Sequence, residues 1–386
     1  MKRIGVTGAF GFLGANFVSA LLEASREAAF APEGLMVRAF ASSSRGNPLF
    51  DESEVEVREL DILEPRLLAR EFRGLDAVAH FAGQVDYGPS SKRSVWETNA
   101  IGAKRVFDAV LEAGVPRLLY VSSVCVLGSS PPALLAGESG SPYGDPRWPI
   151  SFASPSEALA AIEASLAGDY GFMRRDAVTY MDAKLAAWEL AQVYARERGL
   201  PIVTVFPGTV VGAGDLHRSI SRLVDDVWDG RLRFSFRGST SFVASRDFAR
   251  GALLALAKGR LGEGYILGGR DEHNLGYAEF QDLIASLARR EGGQAHRGAL
   301  VLPRPILLGM ARSLEIIAPE AKFNAAFVLS GSLRNVCSSA KARAELGYEP
   351  SLDLEDAILE CRRFSETLRA RSGPARHPSP FFQPSA

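Results

Sequence analysis

The chain has 386 residues, with 44 Lys and Arg against 45 Asp and Glu for a formal net charge of −1. That length suits one large domain with a companion, or two domains. Hydrophobic residues at 47%, charged residues at 23%, 37 Gly and 21 Pro exclude wholesale disorder and fibrous structure, and so balanced a charge offers no field for nucleic acid or anionic lipid. Cys125, Cys337 and Cys361 stand far apart with no C-x-x-C pair. Neither a disulfide framework nor a thiolate zinc site is expected, and a reducing cytoplasm suits the chain.

Met1-Lys2-Arg3 opens a strand, not a signal peptide, because the apolar run after it is broken by small residues and then by Asn16. Short apolar runs predict strands at Arg3 to Thr7, Leu35 to Ala41, Val55 to Leu60, Ala77 to Phe81, Leu118 to Ser122 and Ile202 to Phe206. Between them, helix-period segments run from Phe12 to Glu27, Pro65 to Phe72, Lys92 to Ala113 and Ala177 to Glu197. This alternation predicts a doubly wound α/β protein with a parallel sheet. Later helices are expected at Ser219 to Asp229, Arg246 to Lys258, Tyr277 to Glu291, Ile306 to Ile317 and Leu354 to Arg371. Residues 1–208 are read as a dinucleotide-binding domain with a long insertion at 127–176. Residues 209–371 are read as a smaller, mainly helical substrate lobe partly packing back on the sheet, and 372–386 as a flexible tail. The insertion, with one helix-like piece at Ser156 to Leu166, leaves the fifth strand and returns to the next helix, so it is expected to form a lid. Ala299 to Pro319 is the most membrane-like stretch, but it carries charges and two prolines; no span is expected there, only an exposed apolar helix.

The first strand runs into Thr7-Gly8-Ala9-Phe10-Gly11-Phe12-Leu13-Gly14 and then a helix. Glycines at this spacing allow a tight turn, bring backbone amides to a pyrophosphate and let the helix pack close, its N-terminus facing the phosphates. The second strand ends in Ala41-Ser42-Ser43-Ser44-Arg45, where small hydroxyls and a cation favour the 2′-phosphate of NADP(H) over NAD(H). Asp61, after the third strand, is placed either to accept from an adenine amine or to cap the following helix. Tyr180-Met181-Asp182-Ala183-Lys184 sets a phenol and an ammonium four residues apart on one helix face. A phenol needs such a cation to work as an acid or base near neutral pH. Ser122-Ser123 stands at the carboxyl end of the fifth strand, where open sheets bind ligands. Asp182 and Glu189 are read as the solvated face of the Tyr180 helix. The five His have no ligand spacing, so no metal is expected. His80 at its strand end is read as packing or capping.

Together these residues resemble the extended short-chain dehydrogenase/reductase family, of the NAD-dependent epimerase/dehydratase type, over roughly Lys2 to Leu368. The resemblance rests on the T-G-x-x-G-F-L-G turn, Asp61, His80-Phe81-Ala82-Gly83, Asn99, Ser122 to Gly128, the Y-x-x-x-K pair and Phe206-Pro207-Gly208 to Gly212. It implies that Tyr180 is the proton donor and acceptor, that Lys184 lowers its pKa and holds the nicotinamide ribose, and that Ser123 bonds the substrate oxygen. It also implies that Gly8, Phe10, Gly11, Phe12, Leu13, Gly14, Ser42, Arg45, Asp61, Ala82, Gly83, Asn99, Pro207 and Gly208 line the cofactor. Three departures stand out. Leu127 replaces a Tyr, Phe206 replaces an Asn or Arg, and Thr240 stands where nucleotide-sugar members carry a phosphate-binding Arg, with Arg237 three residues earlier as a partial substitute. Gly264 to Gly269 looks like the dihydroflavonol-reductase and 3-beta-hydroxysteroid-dehydrogenase branch. The expected activity is interconversion of a carbonyl and a secondary alcohol on a lipophilic or aromatic molecule of the kind found in secondary metabolism. Phe206, Phe234, Phe236, Phe242 and the Ile306 to Ile317 helix would supply apolar surface for it. Two alternatives stay open: an epimerase or dehydratase acting on a sugar or sugar nucleotide with tightly held NAD, and a non-catalytic dinucleotide sensor. A homodimer is also left open.

Overall fold

The computed structural model describes residues 1–26, 34–42, 46–128, 135–174, 178–296 and 298–372. In chain order the strands are β1 (Arg3–Thr7), β2 (Met36–Ala41), β3 (Glu56–Glu59), β4 (Ala77–His80), β5 (Leu118–Val121), β6 (Ile202–Pro207), β7 (Thr209–Val211), β8 (Phe234–Ser235), β9 (Ser239–Ala244), β10 (Gly264–Leu267), β11 (Asn274–Gly276), β12 (Leu300–Val301) and β13 (Arg334–Asn335). The helices are α1 (Phe12–Arg26), α2 (Pro65–Phe72), α3 (Lys92–Trp96), α4 (Gly102–Ala113), α5 (Pro155–Leu166), α6 (Thr179–Arg198), α7 (Ile220–Trp228), α8 (Ser245–Lys258), α9 (Tyr277–Arg290), α10 (Arg304–Ile317), α11 (Ala325–Gly331), α12 (Ala340–Leu346) and α13 (Leu354–Ser372).

Seven parallel strands form the main sheet in the order β10-β6-β5-β4-β1-β2-β3. Both faces are covered, so its central strands are apolar on both sides. In β6, Val203 and Val205 point into one core with Val6, Phe17 and Phe248, while Ile202 and Phe206 point into the other with Phe107, Leu185 and Ile266. Helices α1 and α8 cover the first face; α2, α4 and α6 cover the second. The chain turns from one half of the sheet to the other between β1 and β4, which opens a crevice at their carboxyl ends. The seventh strand, β10, was not predicted, because four residues flanked by glycines carry too little periodicity to register. A smaller sheet, with β9 joined to β7, β11 and β13, packs with α7, α9 and α13 around Phe242 and Phe280.

The predicted Lys92 to Ala113 helix is broken into α3, a π-helical turn at Glu97–Ile101, and α4. One end of α4 is set by Gly114, whose φ of +67° closes the last turn. The described part of the 127–176 connection, expected to form a lid, is packed into the core. Ser154 caps α5 ahead of Pro155, and Trp148, Phe152, Ala158 and Ile162 are buried in the same core as α6. Trp148 Nε1 donates to the Cys125 carbonyl at 3.1 Å, and Ala136 pairs with Cys337. Trimming this segment would remove core, not only cover. Residues 373–386, expected as a tail, lie outside the described residues.

Candidate active site

At the crevice, Gly8 has φ +68° and a Cβ there would stand 2.6 Å from the Ala82 amide nitrogen. A Cβ on Gly14 would lie 2.1 Å from the Gly8 carbonyl oxygen, so α1 reaches the turn only without one. Gly11 donates its amide to that same carbonyl at 3.0 Å. The opening amides of α1, beginning with Phe12, Leu13 and Gly14, have no partner within the helix and stand at its positive end. That is a cradle shaped for a pyrophosphate. Two asparagines fix it from outside. Asn16 Nδ2 donates to the Phe12 and Ala213 carbonyls, both at 2.9 Å, and Asn47 Nδ2 to the Phe10 and Gly214 carbonyls, both at 3.1 Å. Nothing in the sequence signals this role, because Ala213 and Gly214 lie 197 and 167 residues from the asparagines that tie them to the turn.

Ser42 is exposed at the end of β2, while Ser43, Ser44 and Arg45 lie outside the described residues. Asp61 is exposed and its Oδ1 accepts the Leu63 amide at 2.8 Å. It closes a turn ahead of α2, whose own cap is Glu64. Thr7 Oγ1 and His80 Nδ1 lie 2.7 Å apart in the interior. Burial above all, and then the Lys184 charge, push His80 down to about 3, so it is a neutral tie between β1 and β4.

On the other side of the crevice the catalytic candidates converge. Ser123 Oγ accepts the Cys125 amide at 3.3 Å and sits beside the Tyr180 phenol, a contact that favours the phenolate. Burial nonetheless raises the phenol well above its ordinary value, with Cys125 and Tyr87 adding to the rise. Lys184, one turn along α6, is buried and donates from Nζ to the Val121 carbonyl at 3.1 Å. Burial pushes its ammonium down to about 8. The dominant influence on the phenol is therefore burial and not Lys184. Asn99, carried on the π turn, donates to the Gln84 and Val95 carbonyls at 2.8 and 2.9 Å. A Cβ on Gly83 would lie 2.8 Å from Asn99 Oδ1 and 3.4 Å from Lys184 Nζ, so Gly83 is where these groups meet. Gly208, after Pro207, is pressed against β9, where a Cβ would stand 2.2 Å from the Ser241 carbonyl oxygen.

A wall of rings leads away from Tyr180. Tyr87 meets it edge-on at 6.3 Å between centroids, Phe327 meets Tyr87 at 5.8 Å, and Phe236 meets Phe327 at 5.4 Å. Tyr87 is anchored through its carbonyl, which accepts Asn324 Nδ2 at 2.9 Å. Sequence reading did not single out Tyr87 or Phe327. Of the aromatics expected to face a ligand, Phe206, Phe236 and Phe242 belong instead to the core, Phe236 beneath α10 with Leu307, Ala311 and Val328. Phe206 is fully buried against Trp188 at 4.9 Å, and Phe242 stacks on Phe280 at 4.0 Å. Phe234 packs on Phe323 at 5.5 Å. Thr240 is buried with its hydroxyl 3.1 Å from that of Thr209, and Arg237 is exposed and makes no ion pair among the described residues.

Asp182 and Glu189 are not a solvated face. Asp182 is buried and its carboxylate accepts the Ser151 amide at 2.8 Å and the Ser151 hydroxyl at 2.6 Å. Burial raises it to about 7, against those two bonds. Glu189 is raised by burial beside Tyr143. The long connection folding back over α6 covers both.

Comparison with known proteins gives a consistent picture. The model of the NAD dependent epimerase/dehydratase family matches residues 4–268. "Sterol demethylase protein B" of Methylococcus capsulatus is 27% identical over 355 residues, covering 90% of this chain and 93% of that one. "Putative dihydroflavonol 4-reductase" of Synechocystis sp. is 25% identical over 325 residues, covering 81% and 79%. Among solved structures, a nucleoside-diphosphate-sugar epimerase from Pseudomonas aeruginosa superposes with a TM-score of 0.67 at 25% identity, covering 95% of this chain and 98% of that one.

Proposed function

The chain belongs to the NAD dependent epimerase/dehydratase family, whose members are oxidoreductase-type enzymes, and from that premise we propose that it interconverts a carbonyl and a secondary alcohol on a lipophilic, ring-bearing small molecule. The observation that carries this reading is the line of rings from the partly exposed Phe327 through Tyr87 to the Tyr180 phenol. Planar apolar rings are held by such a wall through area and edge-to-face contact. A nucleotide diphosphate calls instead for paired cationic donors, and Thr240 supplies none. The names of the sterol and dihydroflavonol relatives point the same way.

The residues then take these roles. The glycine cradle with Asn16 and Asn47 holds the dinucleotide, and Lys184 and Gly83 border its ribose. When bound, the dinucleotide supplies or accepts the hydride. Tyr180, kept protonated by burial, hands its phenolic proton to the substrate oxygen in the reducing direction and takes it back in the oxidising one. Ser123 donates a hydrogen bond to the same oxygen and steadies the charge that develops there. Ala41 and Ser42 at the end of β2 support NADP(H) over NAD(H), since neither adds a carboxylate against a 2′-phosphate. Three free, buried thiols support a reducing compartment such as the cytoplasm.

The epimerase or dehydratase reading is favoured by the sugar-nucleotide epimerase relative. One experiment separates the two. Steroid and flavonoid ketones and UDP- and dTDP-sugars are offered to the protein with NADPH or NADH, and nicotinamide absorbance is followed. Net oxidation of NADPH with the ketones is expected, and Tyr180→Phe should lower turnover on the order of a thousandfold with cofactor affinity unchanged. Turnover of a sugar nucleotide without net cofactor consumption would overturn the reading.

A further inference from the structure

Single exposed hydrophobic side chains are ordinary, but here they crowd into one stretch. Leu300, Ile306, Met310, Ile316, Ile317 and Phe327 are 64%, 52%, 42%, 84%, 77% and 36% exposed. At ~100° per residue, Ile306, Met310, Ile316 and Ile317 fall within an arc of α10 about 120° wide, with Arg312 about 40° beyond Ile316. This arc is turned away from Leu307 and Ala311, which seat the helix on Phe236, Phe323 and Val328. Monomeric proteins rarely leave such a contiguous patch without a use.

On α10 and the turn after it the fully exposed charges are the cations Arg312 and Lys322, while Asp282 stands exposed at the Leu300 end, accepting the Ala299 amide at 3.0 Å. Arg304, Arg312 and Lys322 make no ion pair among the described residues. The two acids of the same stretch are half-buried and engaged: Glu315 accepts the Ala325 amide at 2.7 Å, and Glu320 accepts the Ser90 hydroxyl. Although the whole chain carries a net charge of −1, this face presents apolar surface with the exposed Arg312 at its edge. Phe327 belongs both to the patch and to the ring wall, so the apolar surface runs on from α10 to Tyr87 and Tyr180.

We propose that α10 and the Leu300 turn before it dock on an anionic lipid surface. Ile306, Met310, Ile316 and Ile317 enter the acyl boundary while Arg304, Arg312 and Lys322 reach the headgroups. No helix among the described residues is long and apolar enough to cross a membrane, and a helix lying in the interface needs no such length. A second copy of the chain fits less well. Across a two-fold axis the patch would meet itself and bring unpaired arginines toward their own copies, whereas lipid phosphates bring the opposite charge. The advantage of the surface rests on the lipophilic-substrate reading, because a ligand dissolved in the bilayer would enter the ring-lined cleft without crossing water. Lipid binding itself does not depend on turnover.

The test is co-sedimentation of the full chain with vesicles of phosphatidylcholine alone and of phosphatidylcholine with phosphatidylglycerol. Binding to the anionic vesicles, weakened by salt, is expected. Ile316→Ser with Ile317→Ser should reduce it on the order of tenfold or more, and Arg304→Gln with Arg312→Gln should remove the preference for phosphatidylglycerol. Cofactor binding by each variant, read by nicotinamide fluorescence, reports that it is folded. Absence of binding by the unaltered chain, or unchanged binding by folded variants, overturns the proposal. So does a concentration-dependent dimer that Ile316→Ser with Ile317→Ser dissolves in the absence of lipid binding, which would assign the face to a second copy. Turnover confined to sugar nucleotides would overturn the substrate reading and leave the vesicle result to be judged alone.

Discussion

On the cofactor side the glycine turn itself is one continuous stretch of chain, tied by Asn16 and Asn47 to Ala213 and Gly214, whereas the ring-lined side is assembled wholly from segments that meet only when the chain has folded. Gly8, Gly11 and Gly14 belong to one strand, turn and helix, and Asn99 bonds Gln84 only 15 residues away. Tyr87 is held by Asn324 and Ser330, 237 and 243 residues away. The first side demands particular residue types, because a single Cβ would collide with a carbonyl. The second asks only for apolar bulk of the right shape, and several residues satisfy that. A backbone cradle is therefore brittle and an aromatic wall adjustable.

The sharpest trial of that contrast is Gly14→Val. Its side chain would begin 2.1 Å from the Gly8 oxygen, so α1 must shift, and cofactor affinity measured by calorimetry should fall on the order of a hundredfold, ~2.8 kcal/mol. An unchanged affinity would mean that the turn is pliable. Next comes pH. Burial has pushed Lys184 down to about 8, so its ammonium is present below that pH and lost above it. If it holds the ribose as proposed, cofactor affinity should weaken above pH 8 by roughly tenfold, the worth of one charged hydrogen bond. Lys184→Met should bind weakly at every pH with no bend.

On the adjustable side the effects should be smaller. Phe327→Ala removes a partly exposed ring and should raise KM for a ring-bearing substrate a few-fold to about tenfold, ~1–1.5 kcal/mol, with little change in cofactor affinity. A loss confined to kcat would place Phe327 in the chemistry instead of the wall. A last trial, read in stability and not in binding, concerns Asp182 on the opposite face of α6. Its folded pKa of about 7 lies above the ordinary 3.8, so between these values the folded chain keeps a proton that the unfolded chain releases. Stability should therefore fall as pH rises from about 4 to 7 and level off above. Asp182→Asn should flatten that fall, read from urea midpoints at several pH values; a parallel curve would show that the carboxylate is not the titrating group.

Much of this was legible beforehand for a local reason. The main strands predicted from apolar runs agree with the observed ones to within a residue or two at each end. Alternation along a strand and the 3.6-residue period of a helix are properties of neighbouring residues. The glycine turn and the Tyr180 and Lys184 pair were legible on the same ground, since each is a short segment whose residue types carry its geometry. The π turn at Glu97–Ile101 was not. It adds one residue to a helical turn and leaves the apolar pattern nearly intact, yet it sets the angle from which Asn99 reaches Gln84.

Asp182 marks where local reasoning ends. Helical spacing correctly placed it on a different face from Tyr180 and Lys184, and a charged residue on such a face is usually solvated. What covers a face is decided by distant chain: Ser151, 31 residues earlier, folds back over α6 and supplies two hydrogen bonds. By itself the sequence determined the parallel sheet, the phosphate-shaped turn and the spacing of the phenol and ammonium, because these follow from backbone geometry over a few residues. Only the tertiary structure decided which aromatics are core and which line the cleft, which acids are buried, and which apolar helix face is left bare. Those depend on contacts between segments far apart in the chain, and residue periodicity carries no record of them.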